Sequence, residues 1–501
     1  MQAAPDFEDF AKAHAAGKPV LVWTERVADL ETPVAAMLKL ADGKPMSFLF
    51  ESVEGGAARG RYSFIGLKPD LIWRCFGKKA ELNRRARSAP DAFVAEKKGG
   101  ALASLKALIR ECRVETPKHL PPMAAGLFGY LGYGMVGLVE KIPDANPDTL
   151  GVPDGILLRP SVICIFDGIA DRCTIVTPVW PDAKVSARVA YDAAQERLSD
   201  VLGDLDRSLP HRRETNASTE TLPPPKPNMT RAQCVAMIET AKEYIRAGEI
   251  FQVVPSIRFA LPFKLPPFAL YRALRRLNPS PFLFFLDFGA FSVVGSSPEI
   301  LVRLRDGKVA IRPLAGTRRR GKDAEEDKKL AEELLADPKE RAEHLMLLDL
   351  ARNDVGRVAK TGTVKVVEQF IIERYSHVMH IGSHVEGAID PKYEAMDALL
   401  AGFPAGTLSG APKVRAMEII DELEPERRNI YGGAIGYFAG DGSMDNCIVL
   451  RTAIVKDGVM IVQAGCGVVA DSDPASEYQE IHDKAKALFR AAEEAVRFAK
   501  D

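Results

Sequence analysis

Gly433-Ala434-Ile435-Gly436-Tyr437 has the same spacing of glycine and tyrosine as Gly126-Leu127-Phe128-Gly129-Tyr130 in the first half of the chain. A match this short also arises by chance, so the sequence leaves open whether the two segments are a structural repeat. Around them, strand-like and helix-like runs follow one another without the regular strand–helix alternation of a parallel sheet. The pattern favours the α+β class, with two antiparallel β-sheets packed together and helices on the outside.

Helix signals and a proline-rich break divide the chain. Thr230 and Gln233 have the spacing of a capping box, which predicts that a helix starts just after residue 230. Before it, Leu222-Pro223-Pro224-Pro225-Lys226-Pro227 cannot hold a helix or a central strand. We therefore predict an N-terminal region that contributes to the sheet core, a linker and a C-terminal domain, with bounds 1–205, 206–228 and 229–501.

The composition is that of an ordinary globular protein. The 501 residues have a formal net charge of -1, and 47% of them are hydrophobic. This charge gives no support for binding to nucleic acid or for electrostatic attachment to a membrane, and no apolar run approaches the ~20 residues of a membrane span. Seven cysteines without a Cys-x-x-Cys pair favour reduced thiols in a cytoplasmic protein.

Two pairs of glutamates stand at helical spacing in the second half of the chain. Glu340 and Glu343 are three residues apart, as are Glu477 and Glu480, which puts each pair on one face of a predicted helix. A solvated face is the simpler interpretation of either pair alone. If the two faces met in a cleft, four carboxylates would need protons or a cation, and oxygen ligands of this kind suit Mg²⁺.

The segment 376–384 contains three histidines, His377, His380 and His384. Its valine, isoleucine and glycine residues favour a strand, on which His377 and His380 point to opposite faces. His380 and His384 would share a face but lie about 13 Å apart at ~3.3 Å per residue. A zinc site is therefore not expected, and one of these histidines is better interpreted as an acid, a base or a substrate contact.

A series of ordered motifs runs along the second half of the chain, at residues 250–256, 295–301, 312–317, 340–354, 377–383, 403–413, 431–437, 451, 464–467 and 472–484. Together they resemble the chorismate-utilising enzymes, and within that family the large subunits (component I) of anthranilate synthases. In the first half, Phe50-Glu51-Ser52 and residues 60–66 resemble the family's regulatory signature. The resemblance implies a regulatory N-terminal region and a chorismate-binding catalytic domain.

The resemblance also implies a site that holds chorismate together with Mg²⁺. It places the metal on Glu343 and Glu480, with Glu340 and Glu477 beside them. It assigns substrate contacts to Gly316, Thr317, Tyr431, Arg451, Gly465, Cys466, Gly467 and Lys484. Arginine can bind a substrate carboxylate through two N–H groups.

Three residues match catalytic positions of the family. Glu299 takes the place of the general acid that protonates the departing ring hydroxyl, so we expect burial to raise its pKa. His380 and Thr407 match positions linked to the later elimination of pyruvate. A satisfied core residue is the alternative interpretation of either.

Two further positions select the reaction among relatives. Water-adding relatives use a lysine base where this chain has Gln252, and aminodeoxychorismate synthases (component I) use a lysine nucleophile at the position of Ala315. With neither lysine, the resemblance implies direct addition of ammonia, loss of pyruvate and formation of anthranilate, the first committed step of tryptophan biosynthesis. A 2-amino-2-deoxyisochorismate synthase remains the main alternative, ahead of an aminodeoxychorismate synthase component I, an isochorismate synthase and a non-enzymatic regulatory module.

The resemblance extends to partners and regulation. No glutaminase motif is visible, so ammonia is expected from a separate glutamine amidotransferase subunit (component II), which implies a hetero-oligomer. Ser52 and the segment Pro281-Phe282-Leu283 match the family's feedback site for tryptophan. Ordinary packing between domains is the alternative interpretation of these residues.

Overall fold

The computed structural model describes residues 3–41, 43–54, 58–97, 99–209, 222–375 and 378–499. Its α-helices are α1 (Phe7–Ala15), α2 (Pro33–Ala41), α3 (Gly100–Glu111), α4 (Ala187–Leu205), α5 (Arg231–Arg246), α6 (Pro267–Leu277), α7 (Ala324–Ala336), α8 (Pro338–Gly356), α9 (Ala395–Gly402), α10 (Lys413–Leu423) and α11 (Pro474–Ala499). Short 3₁₀ turns occupy Pro122–Ala124, Tyr133–Leu138 and Gly406–Leu408.

The strands of the first half are β1 (Val20–Val27), β2 (Ser47–Glu54), β3 (Ala58–Phe76), β4 (Lys79–Asn83), β5 (Val94–Ala95), β6 (Gly126–Leu131), β7 (Gly155–Asp167) and β8 (Arg172–Val179). Those of the second half are β9 (Lys226–Pro227), β10 (Gln252–Val253), β11 (Ser256–Pro262), β12 (Phe282–Asp287), β13 (Ser292–Ser297), β14 (Ile300–Arg305), β15 (Lys308–Ile311), β16 (Leu314–Arg319), β17 (Lys365–Arg374), β18 (Val378–Ala388), β19 (Gly410–Ala411), β20 (Ala434–Ala439), β21 (Met444–Ile448), β22 (Thr452–Lys456) and β23 (Val459–Gly465).

Antiparallel pairing joins the strands of both halves. Within the described residues, 21 strands form one hydrogen-bonded network, and β10 pairs separately with β19. The pairings between these strands are antiparallel, so the predicted α+β class with antiparallel sheets is confirmed. The two expected sheets are continuous with each other because β2 pairs with β12 and β6 pairs with β20, across the two halves.

The two Gly-x-x-Gly-Tyr segments are neighbouring strands. Gly129 on β6 lies opposite Gly436 on β20, and both residues have a φ of 155°. A Cβ on Gly129 would lie 2.1 Å from the carbonyl oxygen of Ile156, and one on Gly436 would lie 2.1 Å from that of Asp445. Both glycines admit a neighbouring strand in the same way, so the shared spacing marks equivalent positions where the halves of the sheet join.

Substituting Gly436 by alanine should destabilise this junction. The added methyl group would enter occupied space at a backbone angle that side chains rarely adopt, and we expect the free energy of unfolding to fall by about 3 kcal/mol. Chemical denaturation measures the change. Gly203→Ala on α4 is the matched control, because a Cβ there meets nothing within 4 Å and alanine favours a helix by about 1 kcal/mol over glycine. Equal stability of the two variants would contradict the packing argument.

Helices cover the outer faces of the sheet, and aromatic side chains fill its interior. Helix α5 begins with the predicted capping box, in which Thr230 and Gln233 each accept a hydrogen bond from the other's backbone N–H. Phe48, Phe128 and Phe284 are all 0% exposed in the interior. The rings of Phe48 and Phe128 stack with their centroids 4.9 Å apart. These rings come from strands of both halves, so their burial holds the halves together.

The fold rests on packing and hydrogen bonds. All seven cysteines are buried free thiols, in agreement with the expected reduced state. Among the residues with described positions, no helix has the length and apolar character needed to cross a membrane.

The predicted linker separates two helices. Helix α4 ends at Leu205 and α5 begins at Arg231. Residues 210–221, about half of the predicted linker, lie outside the described residues. The division into an N-terminal region, a linker and a C-terminal domain therefore stays a prediction.

Candidate active site

A cavity of about 1080 Å³ opens between β16, β18, α8 and α11. It brings together predicted site residues that are far apart in the sequence. Those that line it are Gln252, Glu299, Gly316, Thr317, Glu340, Glu343, His380, Thr407, Tyr431, Arg451, Gly465, Gly467, Glu477, Glu480 and Lys484. The cavity is large enough for a small organic acid, and its walls carry both carboxylates and cations.

Glu299 lies in the turn between β13 and β14, with its carboxyl group buried in the cavity wall. Thr407 Oγ1 donates a hydrogen bond to Glu299 Oε1 at 3.2 Å. Burial raises the pKa of Glu299 to about 8, although Thr407, the N–H of Leu314 and the charge of Arg451 favour the ionised form. The expected rise of this pKa is confirmed. The carboxyl group is protonated at neutral pH, as a proton donor must be.

His380 lies on strand β18, which confirms the prediction of a strand in this segment. Its Nδ1 is 2.9 Å from the carbonyl oxygen of Gly316 and 3.1 Å from Thr317 Oγ1. Because the carbonyl can only accept, Nδ1 carries the proton and Nε2 is left as an acceptor. Burial lowers the pKa of His380 to about 4, so the imidazole is neutral at pH 7. Ser376 and His377 lie outside the described residues.

Helices α8 and α11 both face the cavity, which brings the two glutamate pairs into one site. Gln252 Nε2 donates to Glu343 Oε1 at 3.3 Å. Burial raises the pKa of Glu343, and the charges of Glu340 and Glu480 raise it further. The two glutamate pairs are therefore not separate solvated faces but one shared, partly desolvated group of carboxylates. A cation would relieve the repulsion between them.

The other three glutamates have cationic or hydroxyl partners. The contacts are Arg318 Nη1 to Glu340 Oε1 at 2.9 Å, Lys484 Nζ to Glu480 Oε1 at 2.7 Å and Ser472 Oγ to Glu477 Oε1 at 2.8 Å. In the part of the chain that the structure describes, no three carboxylate, imidazole or thiol side chains are grouped closely enough to hold a metal ion by themselves. A metal at this site would therefore need further oxygens from substrate or water.

The cavity wall also offers groups for a carboxylate. Burial lowers the pKa of the Arg451 guanidinium, and Tyr375 and Glu299 offset part of this effect. A bound carboxylate would compensate the same desolvated charge. Lys484 Nζ donates to the carbonyl oxygen of Gly465 at 3.0 Å. A Cβ on Gly467 would lie 2.7 Å from Gln252 Nε2, so the backbone runs close to the amide of Gln252 at this point.

The two positions that select the reaction among relatives both line the cavity. Ala315 lies on β16 opposite Ile381 of β18, and Gln252 lies on β10 opposite Ala411. A methyl group and an amide can neither attack the substrate nor deprotonate water. Gln252 Oε1 is buried and has no hydrogen-bond partner within the described residues, which leaves an acceptor for ammonia or water.

Cys466 is the predicted site residue that does not line the cavity. Its side chain is 0% exposed in the apolar core, and its N–H donates to the carbonyl oxygen of Pro255 at 3.1 Å. In this extended segment the side chain points away from the face that Gly465 and Gly467 present to the cavity. The side chain of Cys466 therefore lies outside the cavity, and the substrate contact assigned to this position stays a prediction.

The sequence interpretation missed a buried ion pair behind the cavity. Arg428 and Glu424 are each 4% exposed, and Arg428 Nη2 lies 2.6 Å from Glu424 Oε1. Arg428 also donates to the carbonyl oxygens of Leu408 and Val254, two residues of the cavity wall. The pair thereby holds the turn that carries Thr407. At four-residue spacing it has no sequence signal that separates it from a surface pair.

A second cavity, of about 580 Å³, adjoins the first. Ser52 and the segment Pro281-Phe282-Leu283, the predicted tryptophan site, all line it. Pro298 and Leu314 line both cavities. At these two residues the cavities therefore share a wall one residue thick. Pro298 precedes Glu299 in the chain, and Leu314 precedes Ala315.

The fold and the site define a class of enzyme. A profile of the family described as chorismate binding enzyme matches residues 59–490, and the chain belongs to this family. Along 99% of its length it is 58% identical to anthranilate synthase component 1 of Cereibacter sphaeroides, 98% of which is covered. It is 46% identical to the protein of the same name from Pseudomonas putida, over 97% of each chain.

Solved structures agree with this placement. The crystal structure of anthranilate synthase component I from Streptococcus pneumoniae TIGR4 superimposes with a TM-score of 0.75 at 37% identity, over 86% of this chain and 92% of that one. MenF, the menaquinone-specific isochorismate synthase of Escherichia coli, has a TM-score of 0.71 at 20% identity, over 97% of this chain and 98% of its own. The likeness to MenF shows the shared fold alone.

Proposed function

We propose that this chain is the chorismate-converting large subunit of an anthranilate synthase, which turns chorismate and ammonia into anthranilate and pyruvate. The observation that carries the proposal is a protonated, buried Glu299 in a cavity whose two reaction-selecting positions hold Gln252 and Ala315. A site with a proton donor and no lysine at either of these two positions suits a nucleophile that needs no deprotonation, and ammonia is such a nucleophile. The relatives that bear the name anthranilate synthase component 1 support the same activity.

The proposal includes Mg²⁺ as the cofactor. The donor set fits this ion, because Glu343 and its neighbours Glu340 and Glu480 offer only carboxylate oxygens. Burial and the charges of Glu340 and Glu480 raise the pKa of Glu343, and the Oε1 of Gln252 has no partner among the described residues, which supports a cation at this corner. When bound, Mg²⁺ would neutralise the carboxylates and hold one carboxylate of chorismate.

The residues of the chain account for the two chemical steps. In the first, ammonia attacks ring carbon 2 while the ring hydroxyl departs, and the proton of Glu299 lets it leave as water. In the second, a base removes the proton from carbon 2, the bond between the ring and the enolpyruvyl oxygen breaks as the ring becomes aromatic, and the departing enolate takes up a proton to give pyruvate. Neutral His380, with Nε2 as an acceptor, is suited to that second role. Arg451 would hold the remaining substrate carboxylate.

The first test supplies ammonia directly. The purified chain, mixed with chorismate, Mg²⁺ and an ammonium salt at pH about 8, should form anthranilate, followed by its fluorescence, and an equal amount of pyruvate. Glutamine in place of ammonium should give no product, because we propose that a separate glutamine amidotransferase subunit releases its ammonia. Absence of anthranilate would refute the proposed function. An aminated product without pyruvate would instead support a 2-amino-2-deoxyisochorismate synthase.

The proposal extends to feedback inhibition by tryptophan in the second cavity. Ser52→Phe should weaken inhibition at least about tenfold, since a benzyl group would fill space that the ligand needs. Turnover without tryptophan should be unchanged, because Ser52 does not line the active-site cavity. Titration of activity with L-tryptophan measures the shift. Inhibition equal to that of the wild-type chain would show that tryptophan does not bind at Ser52.

A further inference from the structure

One row of paired side chains runs across three neighbouring strands, from the active-site cavity to the second cavity. On β18, His380 is flanked by Thr317 of β16 on one side and by Glu373 of β17 on the other. Directly paired residues of neighbouring strands point to the same face of a sheet. Thr317 and His380 line the active-site cavity, whereas Glu373 lines the second cavity. The row therefore begins in one cavity and ends in the other.

Tyr375 connects the last two members of this row. Its hydroxyl group donates to Glu373 Oε2 at 3.0 Å, and its ring meets the imidazole of His380 edge-on, with centroids 5.5 Å apart at 66°. The backbone of Tyr375 is held at both ends, since its N–H donates to the carbonyl oxygen of Val378 at 2.8 Å and its own carbonyl accepts from Arg320 at 2.7 Å. The hydroxyl bond therefore links the position of the Tyr375 ring to that of the Glu373 carboxylate.

Glu373 is in turn held by a residue of the second cavity. Arg312 Nε donates to Glu373 Oε1 at 2.7 Å, and its Nη2 also lies 3.2 Å from Glu368 Oε2. A Cβ on Gly382 would lie 2.3 Å from Glu373 Oε1, so the carboxylate is packed against the backbone of β18. Each oxygen of Glu373 has its own partner, Arg312 on one side and Tyr375 on the other.

We propose that Tyr375 is a positioning residue for His380, and that Arg312, Glu373 and Tyr375 couple the second cavity to turnover. The inference rests on the proposed function. A charged amino acid in the second cavity competes for Arg312, which changes the position of the Glu373 carboxylate and of the Tyr375 hydroxyl bonded to it. The ring of Tyr375 then presents a different surface to the imidazole. For this coupling, the ligand of the second cavity does not need to contact any active-site residue.

Tyr375→Phe tests both parts, because it keeps the ring and removes only the bond to Glu373. In the ammonium-dependent assay we expect kcat to fall by about tenfold, with the KM for chorismate within about twofold of the wild-type value. Calorimetry should give a tryptophan Kd within about twofold of the wild-type value. The coupling factor, by which tryptophan and chorismate weaken each other's binding, should fall at least about fivefold. Tyr244→Phe is the matched control, because Tyr244 bonds Glu422 outside both cavities.

The positioning role of Tyr375 and the coupling between the cavities are tested by different measurements. Unchanged kcat in Tyr375→Phe would refute the positioning role, and an unchanged coupling factor would refute the route between the cavities. Similar losses in Tyr244→Phe would show a general effect on stability and would refute both. The binding measurements need no product, so they test the coupling even if the wild-type chain forms no anthranilate, an outcome that would refute the proposed function alone.

Discussion

Glu299→Gln should lower the turnover of ammonium-dependent anthranilate formation by about 10²–10⁴-fold, the usual contribution of a general acid. Glutamine keeps the size of the side chain and can still accept the hydrogen bond from Thr407, but it has no proton to give to the departing hydroxyl. The KM for chorismate should change little, since the proton transfer occurs in the transition state. Steady-state kinetics on the purified variant gives both values. Turnover within threefold of the wild-type chain would remove Glu299 from the mechanism.

The pH dependence supplies an independent check on the same residue. With a pKa of about 8, Glu299 is protonated below that pH and loses its proton above it. Turnover at a constant concentration of free ammonia should therefore fall as pH rises through about 8. A falling limb at the same pH in Glu299→Gln, measured on its residual activity, would assign the limb to another group.

Stability should respond to this substitution in the opposite direction from activity. The folded chain binds the Glu299 proton more tightly than the unfolded chain, so its contribution to stability is full below the unfolded pKa of about 4.3 and is lost as pH rises to the folded value. Glutamine at this position has no buried charge to accommodate. The variant should thus unfold at a higher temperature than the wild-type chain at pH 9, with a smaller difference at pH 5.

Glu343→Gln should abolish the response of the enzyme to Mg²⁺. An amide supplies one weak oxygen ligand in place of a carboxylate, and we expect kcat/KM to fall by more than the roughly 100-fold seen for changes next to a metal ligand. Binding of Mn²⁺ as a spectroscopic substitute, measured with chorismate present, should be lost in parallel. The repulsion that raises the pKa of Glu343 would also disappear, so the variant should remain folded.

Glu493→Gln is the control for this experiment. Glu493 lies on α11, the helix that carries Glu480, but it is exposed and does not line the cavity. Its substitution removes the same charge as Glu343→Gln, from the helix that carries Glu480, and should leave Mn²⁺ binding and activity unchanged. If Glu343→Gln retained both Mn²⁺ binding and Mg²⁺-dependent activity, the metal would have to be assigned elsewhere.

Local signals in the chain predicted much of the secondary structure. The capping box at Thr230 and Gln233 is present because both hydrogen bonds are made within four residues. The strand containing His380 was predicted from its branched apolar residues, which pack well on a pleated surface. The prediction of two sheets was less complete, because the pairing that joins them links β6 to a strand some three hundred residues away.

The residues of the candidate site were likewise predicted in part from the sequence. Motifs predicted most of the residues that line the active-site cavity, since each is a short segment of ordered residue types. A motif names a position but does not show which way its side chain points, so the burial of the Cys466 side chain in the core was not predicted. The ion pair of Arg428 and Glu424 was missed because its importance comes from burial, which depends on strands packed around it.

The sequence by itself determined the residue types available for chemistry: four glutamates at helical spacing, a glutamate for proton donation, and the absence of lysine at positions 252 and 315. Only the tertiary structure decided that the two glutamate helices meet, that Glu299 is buried deeply enough to hold its proton, and that a second cavity lies behind His380. The physical reason is that charge repulsion, desolvation and shared walls depend on distances between segments remote in the chain, which no local pattern specifies.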